Sequence, residues 1–192
     1  MTSRIRVLVP ALATLALSPG GPAFAEPADG PVLLRPLGTL EIGWVPPQAT
    51  ARTRPLAVHP VKARVDYGES GAQYGADRGG RMHEGQDVFA PAGTPLVAVR
   101  GGVVLETGSD GGRGNYLALW SPEARETYVY LHLLEPAPLK RGQRLRAGDR
   151  VGRLGCTGSC SGDHLHFEVR RGRSLEAPPR DPRRLLQRLS TP

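Results

Sequence analysis

Short apolar runs rich in β-branched and aromatic residues alternate with turn-forming residues between positions 58 and 171. The intervening segments are rich in Gly, Pro and Asp, and no long amphipathic helical pattern interrupts the series. Short strands at regular spacing with turn signals between them are typical of an antiparallel β domain. The candidate strands are 96–99, 102–106, 116–120, 126–133, 150–154 and 164–170. We therefore expect a mainly β fold, a compact single domain built as an antiparallel sheet or barrel-like sandwich.

The end of the chain predicts one short helix. Asp181 is a suitable helix cap, and Pro182 fits the first helical position. Leu185, Leu186 and Leu189 lie on one face of such a helix. We assign this helix to a C-terminal tail at 176–192, which follows a domain at 59–175.

The first 25 residues have the pattern of a secretory signal peptide. Arg4 and Arg6 precede an apolar run at 7–17. Ala23 and Ala25, small residues on either side of Phe24, then provide a cleavage site before Glu26. The apolar run is too short to span a bilayer, which needs about 20 residues. The pattern predicts export to an extracytoplasmic compartment, with no stable membrane insertion after cleavage.

Residues 26–58 are rich in Pro, Gly and Ala, and we interpret them as a leader or linker that is poorly ordered or packed over the domain.

The formal charge of the whole chain is +7. Cleavage would lower it to +5, because the predicted signal carries two arginines and no acidic residue. This charge suits an anionic partner such as a cell wall. No zinc-finger spacing, helix–turn–helix pattern or aromatic–basic stripe favours nucleic acid.

The two cysteines, Cys156 and Cys160, form a close pair. In an exported protein such a pair first indicates a disulfide, here one that shapes the loop before His164. A rival interpretation is a structural zinc site in which both cysteines join His164 and His166. The oxidising compartment expected for an exported chain favours the disulfide.

The segment His164-Leu165-His166 lies in a predicted strand. Residues two apart on a strand point to the same side, so both imidazoles share one space, roughly 6.6 Å apart along the strand. Leu165 and Phe167 then face the core. This geometry suits a metal ligand beside a catalytic histidine.

A second cluster is His83-Glu84-Gly85-Gln86-Asp87. Imidazole and carboxylate groups are favoured zinc ligands, and Gly85 permits a bend that brings His83 and Asp87 together. With one histidine of the 164/166 pair they make three protein ligands. Three ligands leave a fourth position of the metal for water, which is the pattern of a catalytic zinc.

His132 lies near the end of a predicted strand, 126–133, in which polar and apolar side chains alternate. Alternation predicts a polar face that walls a groove and an aliphatic face that covers the core. The predicted groove face carries Tyr128, Tyr130 and His132, and the predicted core face carries Val129, Leu131 and Leu133.

Together these motifs resemble the lysostaphin/LytM-type zinc endopeptidases, whose known members mostly cut cross-bridges or stem peptides of peptidoglycan. The resemblance covers about 59–171. It rests on His83-Glu84-Gly85-Gln86-Asp87, Ala90-Pro91-Ala92-Gly93-Thr94-Pro95, Gly114-Asn115-Tyr116, Tyr130-Leu131-His132-Leu133, Gly148-Asp149-Arg150-Val151-Gly152 and the run from Gly158 to Val169 that contains His164-Leu165-His166.

The resemblance implies a compact, mostly antiparallel β domain with an open groove. It also implies that His83, Asp87 and His166 hold one zinc ion, and that His132 and His164 assist the attack of water on the scissile carbonyl. Asn115 and Tyr130 match positions that line the groove in relatives. His59 has no role in the family, and we interpret it as structural.

Two departures from the family pattern concern the rim of the groove. Asp163 stands where relatives usually have Pro, and many relatives lack the Cys156–Cys160 pair.

From the motifs and the resemblance together, we expect a secreted, monomeric zinc endopeptidase that acts on peptidoglycan. The alternatives are a non-catalytic module that binds peptidoglycan or regulates an amidase, and a secreted protease that acts on proteins.

Overall fold

The structure is a computed structural model, and it describes residues 56–189. The predicted signal peptide at 1–25 lies outside the described residues, as does the leader at 26–58 except for its last three positions. Both assignments therefore remain predictions. Among residues 56–189, no helix has the length and apolar character that a bilayer span requires.

The described part of the chain is built mainly from short strands. In chain order they are β1 (Gln86–Phe89), β2 (Pro95–Val97), β3 (Gly102–Asp110), β4 (Gly114–Ser121), β5 (Glu126–Leu133), β6 (Arg144–Leu145), β7 (Arg150–Arg153), β8 (His164–Arg171) and β9 (Pro179–Arg180). The helical elements are a 3₁₀ turn at Ser70–Ala72 and helix α1 at Arg183–Arg188.

All strand pairings are antiparallel within the described residues, which confirms the predicted fold class. The main sheet has the order β1-β8-β5-β4-β3-β6, with β9 paired to the end of β8, and β2 and β7 form a second sheet. Strand β5 matches its predicted range, and five others match within a few residues. Strands β1, β6 and β9 were not predicted, because β6 and β9 have only two residues each and β1 begins with the polar pair Gln86 and Asp87.

The core lies under one face of the main sheet, where β5 and β8 contribute aromatic side chains. Leu165 and Phe167 are fully buried, as the alternation along β8 predicts. The ring of Phe167 stacks on Tyr128 with centroids 6.1 Å apart and meets Tyr130 edge to face at 5.3 Å. Because alternate residues of β8 face this core, the histidines between them face the opposite side of the sheet.

Helix α1 packs on the same core. Leu186 is fully buried, and Leu185 and Leu189 pack against the same cluster, which confirms the predicted apolar face. The carboxylate of Asp181 accepts a hydrogen bond of 2.9 Å from the backbone N–H of Arg183, where the helix begins. The helix thus starts one residue later than predicted, and the tail segment shares the core of the domain.

Strand β5 departs from regular alternation near its end. Tyr116 of β4 lies opposite two residues of β5, Leu131 and His132, so that β5 contains a bulge. His132 has a φ of 62°, in the left-handed region that residues other than glycine rarely adopt. The bulge turns His132 toward the same groove that Val129 and Leu131 line.

The bulge overturns the predicted faces of β5. Tyr130 is fully buried and does not line the groove, contrary to the prediction. Its hydroxyl donates a hydrogen bond to the carbonyl of Val97 (3.2 Å) and accepts one from the N–H of Val99 (2.9 Å). Tyr128 is likewise in the core. The prediction failed because it assumed unbroken alternation from Tyr130 to His132. The bulge places these two residues on opposite faces of β5 instead.

Candidate metal centre

A groove with a volume of about 700 Å³ crosses the outer face of β5 and β8. It brings together all five side chains that the sequence suggested for a metal or for catalysis. They are His83, Asp87, His132, His164 and His166. They come from three separate parts of the chain, and the pairing of β8 with β1 on one side and β5 on the other joins them.

Three donor atoms form a nearly equilateral triangle in this groove. His83 Nε2 lies 3.1 Å from Asp87 Oδ1 and 2.9 Å from His166 Nδ1, and the third side, from His166 to Asp87, is 3.0 Å. A tetrahedral zinc with bonds of about 2.0–2.1 Å has ligand–ligand distances of about 3.3 Å. The donor set therefore fits a small tetrahedral cation with small adjustments of the side chains.

Strand register and one glycine place these donors. Asp87 on β1 pairs directly with His166 on β8. Between His83 and Asp87, Gly85 lies so close to β8 that a Cβ atom there would come within 2.6 Å of His166 Nε2 and 2.8 Å of the Phe167 carbonyl oxygen. Only glycine permits this close approach of the two segments.

Hydrogen bonds to oxygen atoms orient both ligand histidines. His83 donates from Nδ1 to the carbonyl of Gln73 (2.8 Å), and His166 donates from Nε2 to the carboxylate of Glu168 (3.0 Å). These oxygens only accept, so each bond fixes one ring nitrogen as a donor. The other nitrogen, Nε2 of His83 and Nδ1 of His166, is directed to Asp87.

The remaining two histidines are oriented in the same way. His132 donates from Nδ1 to the carbonyl of Thr157 (2.8 Å), and His164 donates from Nδ1 to the carbonyl of Gly162 (2.7 Å). Their ring centroids are 4.9 Å apart. His164 Nε2 lies 3.5 Å from Asp87 Oδ1, beside the metal donors. In their neutral forms both rings therefore have Nε2 as a proton acceptor.

The electrostatics of the groove favour a charged carboxylate and neutral His132. Burial lowers the pKa of His132 to about 4. Burial alone would raise the pKa of Asp87, but hydrogen bonds from His166 and His83 hold it well below its usual value. Burial opposes the charge of His166, yet its hydrogen bonds to Asp87 and Glu168 raise its pKa. A cation at the three donors would compete with the proton on His166.

The structure adds charged residues that the sequence analysis missed. Arg170 donates from Nε to Glu168 (2.7 Å) and from Nη2 to Glu84 (2.6 Å), so it connects β8 with the segment between His83 and Asp87. Glu168 and Arg170 continue the period-two series of the paired histidines, which is the signal that could have revealed them.

Arg78 is a further residue that the sequence analysis missed. It donates a hydrogen bond of 2.5 Å to Asp87 Oδ2, the carboxylate oxygen that does not face the metal donors. It lies in a glycine-rich turn between Ala76 and His83, which two backbone hydrogen bonds close. No local periodicity or spacing in the sequence points to this contact.

Cys156 and Cys160 are joined by a disulfide, as predicted. The rival zinc site that used both cysteines is wrong, because their sulfur atoms are bonded to each other. His59 is buried away from the groove, and its Nε2 lies 3.1 Å from the hydroxyl of Tyr67. This agrees with a structural role.

Asn115 does not line the groove, contrary to the prediction. Its side chain is buried and donates a hydrogen bond of 3.2 Å to the carbonyl of Leu133. Its backbone N–H donates to the hydroxyl of Thr157 (2.9 Å). Asn115 therefore supports the backbone next to the bulge, and the error arose because a match to a family position does not reveal which way a side chain points.

Comparison with curated proteins finds relatives that are longer than this chain. Peptidoglycan DD-endopeptidase ShyC of Vibrio cholerae is 32% identical over 123 residues, which cover 63% of this chain and 24% of that protein. The chain thus spans about a quarter of the length of the first relatives that it matches.

Solved structures with the same fold include the catalytic domain of lysostaphin from Staphylococcus simulans. It is 30% identical, has a TM-score of 0.55, and the alignment covers 65% of this chain and 92% of that domain. A zinc-containing peptidase from Vibrio cholerae has 27% identity and a TM-score of 0.53, with 71% of this chain and 41% of that chain covered.

The sequence model of peptidase family M23 matches residues 81–178, which is about half of the chain. The matched segment contains both parts of the donor triangle, the bulge at His132, the disulfide and Glu168. Fold, matched segment and donor geometry agree, and the chain belongs to peptidase family M23.

Proposed function

We propose that this chain is a zinc-dependent endopeptidase that hydrolyses peptide bonds of bacterial peptidoglycan. The observation that supports the proposal most is the convergence of three metal-type donor atoms within 3.1 Å of one another, with two further imidazoles beside them. A module that only binds the cell wall does not need this arrangement.

His83, Asp87 and His166 are the proposed ligands of one zinc ion. Two imidazoles and one carboxylate match the donor types that zinc prefers, and three ligands leave a position for water. When bound, the ion lowers the pKa of that water to about 7 and polarises the scissile carbonyl. Arg78 and Glu168 hold Asp87 and His166 in orientation through their outer atoms.

His132 and His164 are the proposed catalytic residues. Each presents Nε2 as a proton acceptor, because its Nδ1 is committed to a backbone carbonyl. An imidazole in this state accepts the proton of the attacking water and then transfers that proton to the leaving amine. A protonated imidazole also stabilises the oxyanion by donating a hydrogen bond to it. The two rings share these steps in our proposal.

The proposed substrate follows from the relatives. ShyC is named as a peptidoglycan DD-endopeptidase, and lysostaphin is described as an antimicrobial peptidase. A mature charge of +5 suits an anionic cell wall. The signal pattern at 1–25 supports export, and we propose that the exported chain acts as a monomer.

Purified cell walls test the proposed function. The zinc-loaded protein should release new amino groups, and mass spectrometry of the fragments should identify the bond that is cut. His83→Ala, Asp87→Ala and His166→Ala should lose zinc and activity together. His132→Ala and His164→Ala should keep most of the zinc and lose about 10²-fold to 10⁴-fold in rate.

The same experiment separates the alternatives. Binding of the zinc-loaded protein to walls without release of amino groups would show that the chain is not an endopeptidase. Cleavage of a glycine-rich protein in preference to walls would exclude peptidoglycan as the main substrate. Loss of zinc in His164→Ala with retention in His166→Ala would reverse the assignment within that pair.

A further inference from the structure

One loop contacts both proposed catalytic histidines. We call residues 155–163 the cystine loop. The carbonyl of Thr157 accepts the Nδ1–H of His132 at 2.8 Å, and the carbonyl of Gly162 accepts the Nδ1–H of His164 at 2.7 Å. The histidines themselves lie on different strands, so the loop provides a common reference for both rings.

Hydrogen bonds anchor the cystine loop at its first half. The hydroxyl of Thr157 donates to the carbonyl of Leu133 (2.8 Å) and accepts the backbone N–H of Asn115 (2.9 Å). Because Leu133 directly follows His132, the Thr157 side chain connects the loop to the bulge. The N–H of Ser159 also donates to the carbonyl of Gly112 (3.0 Å).

Close backbone contact between the cystine loop and the segment around Gly114 also holds the loop in place. A Cβ atom on Gly114 would collide with the carbonyl group of Thr157, and one on Gly158 would collide with the backbone of Gly114. The two segments therefore pack backbone against backbone without intervening side chains. Small displacements of the loop would change the position of the carbonyl that holds His132.

The second half of the loop has little packing of its own. Ser161, Gly162 and Asp163 are exposed, yet the Gly162 carbonyl must stay in place to hold His164. The disulfide between Cys156 and Cys160 closes a short ring that contains Thr157 and ends two residues before Gly162. A covalent link here limits the movement of an otherwise exposed, glycine-containing turn.

We propose that the Cys156–Cys160 disulfide and Thr157 are positioning elements for the proposed hydrolysis. They keep both acceptor carbonyls in place, so that His132 and His164 retain Nδ1–H and present Nε2 to the metal donors. The inference rests on the proposed function, and it concerns the loop rather than the metal.

The metal donors have different supports, which separates the two effects. His83 bonds the carbonyl of Gln73, and His166 bonds Glu168, both outside the cystine loop. Asp87 bonds Arg78. A change in the loop should therefore lower the catalytic rate and leave the affinity for zinc nearly unchanged.

The test uses the full exported chain as the double variant Cys156→Ser/Cys160→Ser and as Thr157→Val. Thr157→Ser is the conservative partner of Thr157→Val, because it restores the hydroxyl, and Thr107→Val on β3 is a matched control. Each protein is measured for zinc affinity, for kcat and KM on purified peptidoglycan, and for the Nδ1–H signals of ¹⁵N-labelled histidines.

The double variant and Thr157→Val should bind zinc within about twofold of wild type and lose about 10-fold to 10²-fold in kcat, part of a full acid–base contribution. Their Nδ1–H signals of His132 and His164 should broaden or vanish, and Thr157→Ser and Thr107→Val should resemble wild type. Unchanged kcat and signals would overturn the proposal, as would zinc loss that accounts for the lost rate.

Two outcomes keep this test distinct from that of the proposed function. A wild type that hydrolyses no wall refutes the function, and the histidine signals then still decide whether the loop orients the rings. If the double variant does not fold, as judged by its circular dichroism, Thr157→Val decides the question alone.

Discussion

Glu168 accepts a hydrogen bond of 3.0 Å from Nε2 of His166, while the opposite ring nitrogen of the same histidine faces the metal donors. The carboxylate is itself held by Arg170, which reaches Glu84 next to His83. This chain of contacts fixes the ring of His166 and links both ligand segments. Acceptors in this position commonly tune the affinity of a metal site.

Replacement of Glu168 should weaken zinc binding. Glu168→Ala removes the acceptor for Nε2–H, and we expect the zinc affinity to fall about 10-fold to 100-fold. Glu168→Gln retains an acceptor oxygen without the charge and should lose less. Competition with a chromophoric chelator measures both constants.

The matched control is Glu123→Gln, an exposed glutamate in the turn between β4 and β5, which should change zinc affinity by less than about twofold. Wild-type affinity in Glu168→Ala would show that the ring of His166 is held by its strand alone.

Gly85→Ala should damage the metal centre without changing any ligand. The new methyl group would come within 2.6 Å of His166 Nε2 and 2.8 Å of the Phe167 carbonyl, so the ring or the strand must move. We expect at least about a tenfold loss of zinc affinity, since outer contacts of a ligand are typically worth that much. Gly71→Ala is the control, because a Cβ there meets open space. Equal affinities in the two variants would contradict the prediction.

Tyr130→Phe should affect stability and spare activity. The variant leaves the N–H of Val99 and the carbonyl of Val97 without their hydroxyl partner in the core. Such a loss costs about 1–3 kcal/mol of unfolding free energy, which urea denaturation measures. Tyr74→Phe removes one longer, partly buried hydrogen bond and should cost less. A large increase in KM for Tyr130→Phe would contradict the prediction, because it would indicate that Tyr130 contacts the substrate in the groove.

His59 should make the fold sensitive to acid. Burial lowers its pKa, whereas the unfolded chain takes up the proton near pH 6.5. The unfolded state therefore binds more protons below that pH, and stability falls as the pH drops below about 6.5. His59→Gln should lose less unfolding free energy than wild type between pH 7.5 and 5.5. Urea titrations at both pH values measure the difference, and identical losses would refute the role of His59.

Alternation along β8 could be predicted because it is a local property of the chain. His164 and His166 on one side and Leu165 and Phe167 on the other follow from the period of a strand. The strand β5 followed the same rule only as far as Leu131. The bulge at His132 depends on its pairing with β4, which no pattern within 126–133 reveals.

The donor set shows the same division. The residue types of His83, Asp87 and the 164/166 pair indicated a metal, because imidazole and carboxylate groups bind zinc wherever they meet. Their meeting depends on the register between β1 and β8, which are far apart in sequence.

The sequence by itself determined six of the nine strands among the described residues, favoured a disulfide for the two cysteines, and fixed the kinds of side chain available for a metal. Only the tertiary structure decided that Tyr130 and Asn115 are buried, that a bulge is what carries His132 to the predicted groove, and which oxygen orients each imidazole. The physical reason is range: side-chain period and donor chemistry belong to neighbouring residues, whereas strand register and hydrogen-bond acceptors come from segments that only folding brings together.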